Sequence, residues 1–378
     1  MRYTFSYGPR LLCGPGKSSE LAGLLPPGSC LFVTDAQLRS LGLVAPVLEG
    51  LRANGIDLAI FDAVEPDPSR ATLMAAVEAG RGCASVIGFG GGSPMDVAKL
   101  AAYLLGSGDD LDAIWGVGKA TGRRLPLVLV PTTAGTGSEA TPVTIITVEG
   151  AEKRGVSSAA LVADTAVLDA TLTTGLPRHV TAATGIDAMV HAIEAYTSAR
   201  LKNPLSDLLA REALRLLSAN LLRACDSPDD LDARAEMLLG AHLAGVAFAN
   251  APVAGVHALA YPIGGHFHVP HGLSNALMLP HVLAHNMPAA TPLYAELGAL
   301  LVPATAGEGA QAQAQALVRH MSELFAATGL PQRLRDVGIG PGDLDLLAAE
   351  AMKQERLLVN NPCPITQAEA RRLYQAAL

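Results

Sequence analysis

The stretch ASVIGFGGGSPMDVAK (residues 84–99) runs from an apolar segment through three consecutive glycines into a segment with helical spacing. Its first part reads as a buried strand, because apolar residues dominate it and no charge interrupts it. The glycines allow a turn whose backbone can come close to a ligand. Ser93 then stands where an N-cap would, with Pro94 at the first helical position and Asp96 three residues after the cap. That pattern predicts a helix opening directly at the turn. Such a helix presents free N–H groups and its positive dipole end, an arrangement that holds a pyrophosphate. The spacing is not GxGxxG, so the turn departs in detail from the common dinucleotide fingerprint.

Working outward, CLFVTD (30–35), DLAIFDAV (57–64) and LPLVLVPTT (125–133) read as further strands. Helical patterns lie between them, one running through Leu51 and another from after EPDPS to about Gly80. Strands alternating with helices imply a parallel sheet covered on both faces. Ligands then bind beyond the carboxyl ends of the strands. PTTAGTGSEAT (131–141) lines up the hydroxyls of Thr132, Thr133, Thr136 and Ser138, which can bond ribose or phosphate or simply make local turns. Asp35, at the end of a strand, can accept hydrogen bonds from an adenosine ribose, and its charge would repel a 2′-phosphate, favouring NAD over NADP. The competing role for Asp35 is a plain helix N-cap.

After about Pro177 the strand patterns give way to helical ones, in HVTAATGIDAMVHAIEAYTSA, SDLLAREALRLLSANLLRA and LDARAEMLLGAHLAGVAFA. The closing ITQAEARRLYQAAL opens with Thr366 and Glu369 spaced as a capping box. The expected organisation is an α/β amino-terminal domain over residues 1–178 and an all-α domain over 179–378. A net charge of −8 argues against nucleic acid, since no basic surplus is present to neutralise phosphates. Five cysteines without a CxxC pair read as reduced thiols, and the amino terminus lacks a signal-peptide pattern, so a cytoplasmic protein is expected.

From Met237 to Ala295 there is no Asp, Glu, Lys or Arg, yet seven of the ten histidines fall there. Prolines and the Gly264-Gly265 pair break the segment before it could span a membrane. Neutral imidazoles in a charge-free, buried segment suit a metal site. In GIDAMVHAIEAY (185–196), Asp187 and His191 are four apart and share one helix face. One carboxylate with neutral imidazoles suits Fe²⁺ or Zn²⁺ in preference to Mg²⁺ or Ca²⁺. His257 is expected on a helix ending at Gly264-Gly265, and HFHVPHG (266–272) on a loop. Nothing in the residues alone selects among His266, His268 and His271.

Along nearly its whole length the chain resembles the iron-containing (group III) alcohol dehydrogenase family. The resemblance is carried by GGGSPMDVAK, PTTAGTGSE, GIDAMVHAIEAYTS, NPLSD (203–207), the VHxxxxPxGxxxxxPHG spacing and the late NP followed by T-x-x-E. It implies a dinucleotide-binding domain followed by a helical metal-binding domain, in a dehydroquinate synthase-like architecture. It places metal ligands on Asp187, His191, His257 and His271, leaving His266 and His268 non-coordinating. Cofactor contacts fall on Asp35, Gly91, Gly92, Ser93, Thr132, Thr133 and Lys153. The implied activity is metal-dependent hydride transfer between a primary alcohol or its aldehyde and NAD(H), with Fe²⁺ or alternatively Zn²⁺, in a homodimer or larger assembly. A hydroxyacid dehydrogenase or transhydrogenase acting on substrates like 4-hydroxybutyrate, or a maleylacetate reductase, is the alternative on the same fold. The chain departs from many members at Tyr261, where a histidine relay is usual. A tyrosine can still donate a proton, although a phenol is a weaker acid than an imidazolium, so Tyr261 is the candidate proton relay. Asp67 stands where relatives often have asparagine, and Cys363 where they often have arginine.

Overall fold

The computed structural model describes residues 3–149 and 152–378. In the first part of the chain the strands are β1 (Arg10–Cys13), β2 (Ser29–Val33), β3 (Asp57–Phe61), β4 (Ser85–Gly90), β5 (Gly116–Val117), β6 (Leu127–Pro131), β7 (Val143–Thr147), β8 (Lys153–Ser157) and β9 (Thr165–Leu168). The helices among them are α1 (Ala36–Ser40), α2 (Ala45–Ala53), α3 (Arg70–Ala79), α4 (Gly92–Ser107) and α5 (Leu111–Ile114). Six strands form a parallel sheet in the order β1-β9-β6-β4-β2-β3. The strands' side chains alternate between two cores, as the two-residue period requires. Leu31 and Val33 join Val86, Leu127 and Leu129 against α3 and α4. Cys30 and Phe32 join Ile87, Phe89, Val128 and Val130 against α2. Both faces of the sheet are therefore covered.

Three details differ from the sequence expectation. The single helical pattern through Leu51 is two helices, α1 and α2, parted by a turn in which Gly42 takes φ 76°. Strands β1 and β9 complete one edge of the sheet, each of only four residues, too short to carry a readable period. A second, three-stranded sheet, β5-β8-β7, has β7 and β8 antiparallel.

The second part is helical, with α6 (Arg178–Thr197), α7 (Pro204–Asp226), α8 (Leu231–Asn250), α9 (Gly255–Phe267), α10 (His271–Leu301), α11 (Ala310–Thr328), α12 (Leu344–Met352), α13 (Glu355–Leu358) and α14 (Gln367–Ala377). Helix α14 opens with the reciprocal box, Thr366 N to Glu369 Oε2 at 2.7 Å and Glu369 N to Thr366 Oγ1 at 3.3 Å. Helix α9 does not stop at Gly264-Gly265, as expected, but continues to Phe267. The stop is set by Pro270, which disfavours helix at the residue before it, and by His268 in the left-handed region at φ 54°. His266 thus lies in the last turn of α9, and His271 is the first residue of α10 instead of a loop residue.

The chain divides into two compact units, Tyr7–Gly175 and Leu176–Leu378, with the amino-terminal segment up to Ser6 grouped with the second. The physical reason lies at Asn250, whose side chain brackets Ser6 like a strand partner. It accepts from Ser6 N at 2.7 Å and donates to Ser6 O at 2.8 Å. No single helix among the described residues is long and apolar enough to cross a membrane. Helices α8 and α9 pass that test only as a pair, and they are bent by 107°.

Candidate functional site

Helix α6 is buried along almost its whole length from Thr181 to Thr197, so its polar residues need partners inside the protein. Asp187 and His191 project from one face of it, and His257 and His271 come from the first turns of α9 and α10. The Nε2 atoms of His191, His257 and His271 stand 3.9, 3.8 and 3.7 Å from Asp187 Oδ1. One donor atom from each of the four residues lies within 4.8 Å of the others. Three of the four are buried and His271 is partly exposed. The rings pack in a row, with Phe248 stacked on His191 at 4.4 Å, His191 on His257 at 4.7 Å, and His257 next to His271 at 5.4 Å. Tyr261 continues the row, 5.7 Å from His271. His266 and His268 are exposed and outside the cluster, with His266 4.0 Å from Glu350. Burial pushes the Asp187 carboxyl up, but the three imidazoles and Asn275 outweigh it and hold it below the usual carboxylate value.

The donor set fits a divalent transition ion. Tetrahedral ligands at about 2.0–2.1 Å from an ion stand about 3.4 Å apart, and the three distances from Asp187 Oδ1 to the imidazoles are only a few tenths of an ångström longer. The lone pairs of the set also converge on one positively polarised group. The Asn275 amide donates to Asp187 Oδ1 at 2.6 Å and lies 3.3 and 3.2 Å from Nε2 of His257 and His271. Asn275 Oδ1 is buried without a partner, a sign that this polar pocket is built around more than the chain's own groups.

One residue of the site went unread in the sequence. Glu194 is buried on α6, one turn beyond His191, and its carboxylate accepts from Ala254 N at 2.9 Å and Val256 N at 2.6 Å. It also lies 2.6 Å from His257 Nδ1. The available signal was a charge on the Asp187–His191 face of an otherwise apolar helix.

In the α/β unit, the glycine turn joins β4 to α4 beyond the carboxyl end of the strand. Here the expected cap is corrected. The N-cap is Gly91 and the helix starts at Gly92, so Ser93 lies within the first turn and caps nothing. Asp96 is drawn away by tertiary partners, accepting from Ser138 Oγ at 2.6 Å and Ile145 N at 2.8 Å. Ser138 is therefore occupied structurally. A Cβ on Gly92 would meet Thr136 Cγ2 at 2.9 Å, and one on Gly91 would lie 3.5 Å from Thr133 Oγ1. The turn and the threonine loop thus pack against each other, and Thr132 N donates to Gly90 O at 3.0 Å. Fully buried Lys99 anchors that loop through Ser138 O at 2.7 Å and Val143 O at 2.6 Å, and its burial lowers its pKa. Asp35 caps α1, accepting from Leu38 N at 2.8 Å with Oδ1. Lys153 pairs with Asp67 at 2.6 Å, and Asp67 sits at φ 54°.

Two family models cover nearly all of the chain. The iron-containing alcohol dehydrogenase model matches residues 8–170, and the carboxyl-terminal model of the Fe-containing alcohol dehydrogenase family matches residues 181–378. Long-chain-alcohol dehydrogenase 1 of Geobacillus thermodenitrificans is 41% identical over 92% of this chain and 89% of its own length. The NAD-dependent methanol dehydrogenase of Bacillus methanolicus is 32% identical over 92% of each. A crystal structure of 1,3-propanediol oxidoreductase superimposes over 100% of both chains with a TM-score of 0.95 and 33% identity. From its glycine turn to its helical carboxyl-terminal half, the chain belongs to the iron-containing alcohol dehydrogenase family.

Proposed function

We propose that this NAD-dependent alcohol dehydrogenase holds one divalent ion, Fe²⁺, on Asp187, His191, His257 and His271, and interconverts a primary alcohol with its aldehyde. The observation that carries the ligand assignment is the convergence of one carboxylate and three imidazoles within 4.8 Å, with three of the four residues buried. When bound, the ion supplies Lewis acidity at the substrate oxygen and NAD accepts the hydride. Asp187 supplies the one negative charge of the set, which offsets half the charge of a divalent ion, while the imidazoles remain neutral. Tyr261 is the proposed proton-transfer residue, its ring beside the partly exposed His271.

In the α/β unit, the start of α4 at Gly91, Gly92 and Ser93 is the proposed pyrophosphate seat. Its support is a helix start beyond the end of β4 with no side-chain cap of its own. Thr132, Thr133 and Lys153 are proposed contacts to the remaining polar groups of the cofactor, and Asp35 to the adenosine ribose. The enzyme is proposed to work in the cytoplasm as a homodimer or larger homo-oligomer, which light scattering would size.

The test is His257→Ala and His271→Ala, each expected to lose bound metal by elemental analysis and nearly all NADH-linked turnover. Either variant retaining metal at wild-type stoichiometry would show that the imidazoles are wrongly assigned.

A further inference from the structure

We propose that Glu194 is a positioning residue that locks His257 in the Nδ1–H tautomer, leaving the Nε2 lone pair facing Asp187. The inference rests on the metal-site reading above for its purpose, but its geometry stands in the chain's own residues. Glu194 is buried, and three groups approach its two oxygens. Val256 N donates to Oε1 at 2.6 Å, while Ala254 N at 2.9 Å and His257 Nδ1 at 2.6 Å both face Oε2. Backbone N–H groups can only donate, so both oxygens act as acceptors there. A ring nitrogen 2.6 Å from such an oxygen bonds to it as the donor, which puts the proton of a neutral imidazole on Nδ1. The other nitrogen, Nε2, is the one 3.8 Å from Asp187 Oδ1 in the donor cage. A carboxylate behind a ligating imidazole fixes both ring orientation and tautomer.

The same carboxylate also builds the helix that carries His257. Helix α9 has Ala254 at its N-cap and no side-chain cap of its own. Its opening N–H groups are taken up from outside, those of Ala254 and Val256 by Glu194 and that of Gly255 by Asn361 Oδ1 at 3.2 Å. An anion at a helix start is favoured by the dipole. Glu194 and Asn361 therefore share the structural task, but only Glu194 touches the imidazole. That difference separates a tautomer lock from simple helix support.

The test compares Glu194→Ala with Asn361→Ala in the full chain. The metal-stripped proteins carry ¹⁵N-labelled histidine, and Zn²⁺ uptake is measured by competition with a chromogenic chelator. Wild type is expected to show His257 protonated at Nδ1. Glu194→Ala is expected to lose that single tautomer and to bind Zn²⁺ about 10- to 100-fold more weakly. Asn361→Ala is expected to be less stable to heat yet to keep the tautomer and the Zn²⁺ affinity. Equal losses of affinity in the two variants, or an unchanged tautomer in Glu194→Ala, would overturn the proposal. If Glu194→Ala does not fold, wild type alone decides, because an Nε2–H His257 would refute the lock. A wild type with Nδ1–H His257 that takes up no Zn²⁺ would support the lock while sinking the metal-site reading.

Discussion

Gly272 follows His271 at the start of α10, where the helix crosses α6. A Cβ at this position would stand 2.3 Å from Ala183 O and 2.8 Å from its carbonyl carbon, with Asp187 Cβ at 3.4 Å. The obstacle is backbone, so no rotamer change relieves it. Ordinary contact begins at 3.4 Å, so Gly272→Ala must separate the two helices locally by about 1.1 Å, the difference between 3.4 and 2.3 Å. Overpacking of this kind costs about 1–3 kcal/mol. At about 2–4 °C per kcal/mol for a unit of this size, the melting temperature should fall by about 2–12 °C. The same displacement moves His271 relative to Asp187. Metal–ligand distances tolerate only about ±0.2 Å, so metal affinity should fall with stability. Gly298→Ala is the control, at the far end of α10, where a Cβ would lie 2.0 Å from Gln313 O of α11. That variant should destabilise at least as much and leave Zn²⁺ uptake intact. Thermal unfolding without added metal, paired with chelator competition at a temperature where both variants are folded, reads the two effects separately. Wild-type metal affinity in Gly272→Ala would refute the transmission of helix separation to the ligands. Equal metal loss in Gly298→Ala would reduce it to general loosening.

Two further predictions concern the α/β unit. Asp35→Gly should relax the preference for NAD over NADP, with only a few tenths of a kcal/mol of stability lost, because glycine is tolerated at an N-cap. An unchanged ratio of kcat/KM values for the two cofactors would make Asp35 a cap and nothing more. Asp169, just after β9, is pushed up by burial, but hydrogen bonds from Thr171, Ser18 and Gly16 outweigh this and hold its carboxyl below the usual value. A folded pKa below the unfolded one means stability present above about pH 3.9 and lost as pH falls through the folded value. Asp169→Asn should therefore lower stability at neutral pH and flatten its acid dependence. A variant whose acid unfolding curve has the wild-type slope would contradict that assignment.

Much of the architecture was legible in the residues because the cues were local. Apolar runs of strand length alternating with helical patterns announced a covered parallel sheet, and the later helical spacing announced an all-α half. The misreadings came where a local cue lost to a distant partner. Ser93, Pro94 and Asp96 spell a capped helix start, yet Asp96 bonds to Ser138 and Ile145 instead. The glycine pair in α9 looks like a stop, yet that helix runs on until Pro270 forbids it.

The site divides in the same way. The four-residue spacing of Asp187 and His191 determined by itself that both would share a helix face, since the α-helical period makes them neighbours. The charge-free, histidine-rich segment pointed to buried imidazoles, which holds for His242 and His257 but not for the exposed His266 and His268. The residues alone could not choose among His266, His268 and His271; that choice came with the family motif, and the geometry then brought His271 to Asp187. Glu194 was invisible as a partner of His257, because the two are 63 residues apart along the chain. Spacing determines what one helix presents on a face. Only the way α6, α9 and α10 pack decides which faces meet, because that depends on close contacts, such as Gly272 against Ala183, that no single helix contains.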